Sequence, residues 1–172
     1  MTDMQKVLAT MIGGVDSSLT AALLLERGFN VEGVTMLLED GNFHERSCCS
    51  SKEVENAAIV AENLGIKHHV IDLRDAFRKS VINYFVEEYL NGRTPNPCVR
   101  CNREIKFGSL FDFTTSIGAN FLATGHYARI VFEDKRFKLK QATNGRKGLG
   151  AVGKLKQVTD LFPPDESCCA QC

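Results

Sequence analysis

Lys6-Val7-Leu8-Ala9-Thr10-Met11-Ile12-Gly13-Gly14-Val15-Asp16-Ser17-Ser18 is the stretch that decides the fold. Lys6 to Met11 is a short apolar run ending at a glycine pair, as a buried parallel strand does. From Ser17, the residues Leu19, Ala22, Leu23 and Leu24 recur at helical spacing, and Gly28 stands where a left-handed cap belongs. A strand that runs through Gly13 to Ser18 straight into a helix gathers backbone N–H groups and a helix N-terminus around one point, which is an anion site. Glycine lets the backbone approach a phosphate closely, the Ser17 and Ser18 hydroxyls can donate to its oxygens, and Asp16 can hold magnesium or cap the helix. A bare glycine pair would be an ordinary strand-to-helix turn; six consecutive residues of this kind are harder to dismiss. The lysine that the Walker loop requires after its second glycine is not here.

Outward from this stretch, strands and helices alternate. Asn30 to Leu37 predicts a second strand, followed by a polar loop from Glu39 to Ser47. Ser50 with Glu53 three residues later is a capping box opening a helix through Ala57, Ala58, Val60 and Ala61 to Leu64, stopped by Gly65. His68 to Leu73 predicts the third strand. Asp75 is expected to cap a helix carrying Phe77, Val81, Tyr84, Phe85 and Tyr89 that stops near Gly92. Arg93 to Asn102, with two prolines and two cysteines, reads as a loop, and a helix from about Arg103 to Ile117 ends at Gly118. Phe121 to Thr124 is the fourth strand. The expected fold is α/β, a doubly wound parallel sheet covered on both faces, followed by a small β-hairpin with arms Tyr127 to Phe132 and Arg136 to Lys140 turning at Glu133-Asp134-Lys135. From Thr143 onward no period is evident.

Composition narrows the class. A chain of 172 residues with 44% hydrophobic and 24% charged content is long enough for one sizeable core. Lys and Arg number 21, as do Asp and Glu, so no global field favours a polyanion and any nucleic-acid contact must come from a local patch. With no apolar stretch near the length of a membrane span and no secretory layout at the N-terminus, a cytoplasmic protein is expected. Its seven cysteines are then not a disulfide framework, so their placement matters more than their number.

Gly13 to Ser18 resembles the PP-loop of ATP pyrophosphatases, whose pattern is Ser-Gly-Gly-x-Asp-Ser and whose fold is that of the adenine nucleotide alpha hydrolases. Within that group, the first 130 or so residues are similar to the tRNA-specific 2-thiouridylases (the MnmA/TrmU family). The resemblance is carried by Gly92-Arg93-Thr94-Pro95-Asn96-Pro97-Cys98-Val99-Arg100-Cys101-Asn102-Arg103-Glu104-Ile105-Lys106-Phe107-Gly108 and by Ala123-Thr124-Gly125-His126-Tyr127-Ala128-Arg129. It implies that ATP, with Mg2+, adenylates O2 of the wobble uridine of tRNA, and that a persulfide sulfur supplied by a donor protein, a desulfurase or relay, then displaces AMP. Cys101 matches the family's first active-site cysteine; Asn96, Pro97 and Cys98 match the stretch against the target base; Met36 and Gly125 match adenosine contacts, beside a phosphate site from Thr10, Met11 and Ile12 through Gly13, Gly14, Val15 and Asp16 to Ser17 and Ser18. Cys98 stands where many members have aspartate. The implied organisation is an ATP-binding and thiolation domain over 1–130, a hairpin extension over 131–142 and a divergent, flexible, cysteine-ended tail over 143–172.

Two departures qualify the resemblance. Ile12 replaces the first serine of the loop and cannot donate to a phosphate; one such bond to a charged group is worth roughly 1.5–3 kcal/mol, enough to weaken ATP binding about tenfold or more. The Lys-Asp-Gln motif that contacts tRNA in the family, expected near Arg146-Lys147, is absent, and Gly148-Leu149-Gly150 stands there instead.

From the residues alone, a cysteine in a loop beside Arg100, Arg103 and Lys106 and just before a helix start is expected to be a stabilised thiolate, and the three cations can hold RNA phosphates. A solvated basic helix start is the common alternative. Cys98-x-x-Cys101 has ligand spacing, as has Cys169-x-x-Cys172 with Cys168 beside it, so an iron–sulfur cluster on Cys98 and Cys101 is a candidate; an unpartnered cysteine-rich end is an equal one. Cys48 and Cys49 read as structural or incidental, and His126 receives no catalytic role. The functional expectation is therefore a tRNA-uridine 2-sulfurtransferase. The competing one is a catalytically impaired ATP- or iron–sulfur-binding module of the same fold. A PP-loop ligase or amidotransferase acting on a small substrate is a third, against which Pro95-Asn96-Pro97-Cys98 argues.

Overall fold

The computed structural model describes residues 5–39, 51–125, 128–133, 136–141 and 152–154. Strand β1 (Lys6–Thr10) leads through the glycine loop into helix α1 (Val15–Glu26), and β2 (Asn30–Leu37) follows. Helix α2 (Ser51–Asn63) and β3 (His68–Asp72) come next. The helical stretch α3 then runs through Arg74–Phe77, a π-helical Arg78–Ile82 and Asn83–Leu90. A second such stretch, α4, combines Pro97–Cys101, a π-helical Asn102–Ser109 and Leu110–Ser116. β4 (Phe121–Ala123), a hairpin of β5 (Ala128–Glu133) and β6 (Arg136–Gln141), and the short β7 (Val152–Lys154) complete the described elements.

The sheet order is β3-β2-β1-β4-β7, with the first four strands parallel and β7 antiparallel to β4. Period-two alternation along β1 sorts the core onto two faces. Val7 and Ala9 pack with Ala21, Leu24, Val31 and Ala123 on the α1 face, and Met11 joins Ala57 and Ala61 of α2. Leu8 points the other way, into a cluster with Val34, Met36, Val81, Cys101, Ile105, Leu110 and Leu122 from β2, α3, α4 and β4. The sheet is doubly wound, as its apolar runs required. The order reverses at β1, where the chain crosses from β3 back to β4, and the crevice at such a reversal is where α/β sheets take their ligands.

The glycine stops at Gly28, Gly65, Gly92 and Gly118 all take positive φ at helix ends. Three boundaries differ from the sequence reading. Helix α4 starts at Pro97, not Arg103, because Asn96 caps it by accepting the Val99 N–H at 3.2 Å and a proline fits the first helical position without losing a bond. Cys98, Arg100 and Cys101 therefore ride on a helix, not in a loop. At α3, Leu73 holds the cap position and Asp75 lies inside the first turn, while Asp72 accepts the Arg74 N–H at 3.1 Å. Strand β7 carried no period because only three residues form it, with a glycine at its centre. Ser50 of the expected capping box and Tyr127 of the expected hairpin lie outside the described residues, as do Asp134 and Lys135 of its turn, Cys48, Cys49, His126 and the tail from 155 on.

Candidate active site

β1 delivers Met11 to the crevice fully buried, its N–H bonded to Val34 O at 2.8 Å and its carbonyl accepting from Thr35 Oγ1 at 2.7 Å. Two residues on, Gly13 takes φ +68°, and a Cβ there would lie 2.6 Å from Asn56 Cβ and 3.1 Å from the Glu53 carbonyl oxygen. The loop thus leans on α2 through a contact only glycine permits. Gly14 then occupies the N-cap of α1 with extended backbone and no side-chain cap.

The first bond of α1 runs from Ser18 N to Gly14 O at 3.2 Å, so the N–H groups of Gly14, Val15 and Ser17 come before it and are grouped at the helix start. This is the helix start to which the sequence reading assigns an anion. The two serine hydroxyls are used differently from that expectation. Ser17 Oγ accepts the Ile12 N–H at 3.3 Å and donates to Gly14 O at 3.0 Å; Ser18 Oγ donates to the same oxygen at 2.9 Å. Three donors share one carbonyl with two lone pairs, so one hydroxyl can turn to a ligand with little loss. Asp16 lies in the first turn of α1 and is not its N-cap. Ile12 is 45% exposed at the rim and so is not wedged into the loop.

Two predicted nucleotide contacts flank this cradle. Thr10 pairs with Val34, which places Met36 beyond the end of β1, level with the loop. Its side chain is buried in the core, so a nucleotide contact here is one of the main chain. On the other side, Gly125 follows β4, and a Cβ on it would lie 3.3 Å from Ser17 N and 3.4 Å from Ser17 Cα. The chain after β4 therefore passes directly over the start of α1.

The cysteine segment is rearranged relative to expectation. Cys98 sits half-buried in the first turn of α4, while Cys101, one turn on, is 9% exposed and belongs to the same core cluster as Met36. Of the three predicted phosphate-binding cations, Arg100 is drawn onto α3: its guanidinium lies 5.1 Å from the centre of the Tyr84 ring, its Nε donates to Ser80 O at 3.3 Å, and Glu104 pairs with it at 3.5 Å. Arg103, 73% exposed, also touches Glu104, at 3.6 Å. Lys106 is half-buried on the same helix. Glu104 offsets part of the positive charge that the sequence reading assigned here.

Among the described residues, no group of three or more His, Cys, Asp or Glu side chains is placed to hold a metal ion. Cys98 and Cys101 supply two thiols, and the other five cysteines lie outside the described residues, so no iron–sulfur ligand set is completed within them. Among the described residues no helix is long and apolar enough to cross a membrane. Sequence reasoning missed Thr35 and His68, whose side chains meet at 2.8 Å beneath the loop. The only available signal was a threonine within the apolar second half of β2.

Residues 5–150 match the family model of the tRNA methyl transferase HUP domain. The tRNA-specific 2-thiouridylase MnmA of Pelotomaculum thermopropionicum is 49% identical over 149 residues, covering 83% of this chain and 41% of that protein. The corresponding protein of Carboxydothermus hydrogenoformans is 52% identical over 135 residues, covering 76% and 37%. The chain thus spans about two fifths of the length of these relatives. Among solved structures, the predicted subunit of a tRNA methyltransferase from Methanocaldococcus jannaschii aligns at a TM-score of 0.48 and 24% identity, covering 72% of this chain and 53% of that one.

Proposed function

We propose, from the premise that this chain belongs to the family of tRNA-specific 2-thiouridylases and carries its nucleotide-binding HUP domain, that it thiolates C2 of the wobble uridine in tRNA. The observation that supports this reading is the open glycine-loop start of α1, with the cysteine helix packed into the core behind it. The Gly13 to Ser18 cradle opens there beside Gly125, and Cys101 shares a buried cluster with Met36 at the end of β2.

In this reading the loop N–H groups hold the phosphates of ATP, Asp16 would help to hold a magnesium ion that offsets phosphate charge, and the Met36 and Gly125 backbones border the adenosine. Uridine O2 attacks the α-phosphorus and pyrophosphate leaves. The terminal sulfur of a persulfide on Cys101 then attacks C2, and AMP departs with the original oxygen. A thiol reductant attacks Cys101 Sγ and breaks the S–S bond, so that 2-thiouridine leaves and Cys101 remains in a mixed disulfide that a second reductant thiol reopens. Asn96, Pro97 and Cys98 lie against the base, and Arg103 and Lys106, with Arg100 once freed from Glu104, meet tRNA phosphates. The partners are tRNA and a sulfur-donor protein, and the setting is the cytoplasm. Because Cys101 is buried, the α4 segment must shift for the donor to reach it.

A second reading rests on Ile12. If the missing hydroxyl bond abolishes turnover while weakened ATP binding persists, the chain is an ATP-binding module of the same fold. An iron–sulfur cluster on Cys98 and Cys101 belongs here as a variant, and iron analysis of anaerobically purified protein decides it, a colourless iron-free protein excluding the cluster.

Incubating the protein with unmodified tRNA, ATP and a persulfide donor, then measuring 2-thiouridine in the digested nucleosides, separates the readings. Wild type is expected to form product, and Cys101→Ala to lose it by at least about a hundredfold while ATP still binds. Unchanged 2-thiouridine in Cys101→Ala refutes the assignment of sulfur transfer to this residue. Binding of ATP without product in both wild type and Ile12→Ser favours the module.

A further inference from the structure

Thr35 is fully buried in β2, among residues that are otherwise mostly apolar. Its Oγ1 donates to Met11 O at 2.7 Å and lies 2.8 Å from His68 Nε2. A hydroxyl has one proton, and here it goes to the carbonyl, so the histidine nitrogen must be the donor and the ring carries a proton on Nε2. Burial first, and the neighbouring His69 second, hold the His68 imidazole below its ordinary pKa, which keeps the ring neutral near pH 7. A chain of two hydrogen bonds therefore runs from β3 across β2 to Met11, the residue that follows β1.

What that chain grips is a single peptide plane. The Met11 carbonyl and the Ile12 N–H belong to one planar, trans unit and point in opposite directions. Thr35 holds the carbonyl end at 2.7 Å, and Ser17 Oγ accepts from the N–H end at 3.3 Å. Ser17 is one of the two hydroxyls within the phosphate cradle, so the angle of this plane sets where that hydroxyl sits. The rest of Met11 has little room to compensate: its N–H is on Val34 O, and a Cβ at Gly33 would come within 2.6 Å of its sulfur.

We propose that Thr35 and His68 are positioning residues that lock the Met11–Ile12 peptide and so preform the phosphate loop for ATP. This rests on the ATP-binding part of the proposed function. Neither residue touches the nucleotide; both act through the peptide they hold.

Thr35→Val keeps the shape and removes the hydroxyl. It is expected to raise the KM and Kd for ATP about five- to tenfold with kcat within about twofold, and to speed amide exchange of Gly13 to Ser17 by a similar factor. Thr35→Ser should restore both to near wild type, and His68→Gln, which keeps a donor, should do better than His68→Leu. Nitrogen-15 spectra of wild type should show His68 as the Nε2–H tautomer. An unchanged Kd and unchanged loop exchange in folded Thr35→Val overturn the inference, as does an Nδ1–H tautomer. Should wild type bind no ATP, the proposed function fails, and the tautomer and exchange measurements still decide the brace on the free protein.

Discussion

Helices α1 and α4 both begin at the mouth of a loop, and they begin in opposite ways. At α1 the cap residue is Gly14, no side chain closes the turn, and the N–H groups of Gly14, Val15 and Ser17 are gathered ahead of the first helical bond. At α4 Asn96 folds its side chain onto Val99 N at 3.2 Å, and Pro97 has no N–H to offer. One helix start has no side-chain cap, and the other is capped by its own sequence. In the proposed function the difference divides the labour: the anion goes to α1, while α4 is a self-capped carrier of Cys98 and Cys101 that needs no ligand to form its first turn.

The contrast breaks most severely at Gly13. An alanine there meets both a left-handed φ of +68° and a Cβ placed 2.6 Å from Asn56 Cβ and 3.1 Å from the Glu53 carbonyl. The first costs about 1–2 kcal/mol and the second about 1–3 kcal/mol, because Cβ atoms and backbone cannot swing aside as a side-chain tip can. Gly13→Ala is expected to lose about 2–5 kcal/mol in denaturant unfolding. ATP affinity should fall at least about thirtyfold, since α2 must retreat and take the loop with it. A variant of wild-type stability with intact ATP binding would mean that the loop does not need its contact with α2.

Ile12 sharpens the comparison in the other direction. Its side chain is 45% exposed beside the open helix start, so replacing it removes little packing. Ile12→Ser adds a hydroxyl donor at the rim of the cradle, and ATP is expected to bind about tenfold tighter by calorimetry, with stability changed by less than about 0.5 kcal/mol. No gain in affinity would show that the cradle already satisfies the phosphates through its backbone.

How far the sequence reached follows from the same two helix starts. The α1 start was legible because its signal is local: an apolar run, two glycines and a helical period lie within a few residues, and each means one thing. The α4 start was misread because Pro97 was weighed as a breaker, whereas at the first helical position it is compatible with the turn and Asn96 supplies the cap. That error placed Cys101 in a loop, and the structure buries it on a helix. The use of Arg100 on Tyr84 and Ser80, and the Thr35–His68 pair, join residues 16 or more positions apart, as does Gly125 over Ser17. Periodicity says which face a residue takes, not which distant side chain it meets. The two-faced cover of the sheet was readable for the opposite reason: Val7, Leu8 and Ala9 at the centre of β1 are consecutive apolar residues and so need burial on both faces.

The smallest effect belongs to Asn96. Truncation to alanine deletes one capping bond, already at the long end at 3.2 Å, from a helix that tertiary packing of Cys101, Ile105 and Leu110 holds in place. The expected loss is about 1 kcal/mol in unfolding free energy, and Asn96→Asp, which caps as well, should recover most of it. Since α4 offers nothing to the phosphates, ATP affinity should stay within about twofold of wild type. The rate of 2-thiouridine formation should drop more than that, because the freed first turn carries Cys98 and leads directly to Cys101. If Asn96→Ala instead weakened ATP binding as Gly13→Ala does, the two helix starts would be coupled, and the division between an open ligand cradle and a closed thiol mount would have to be given up.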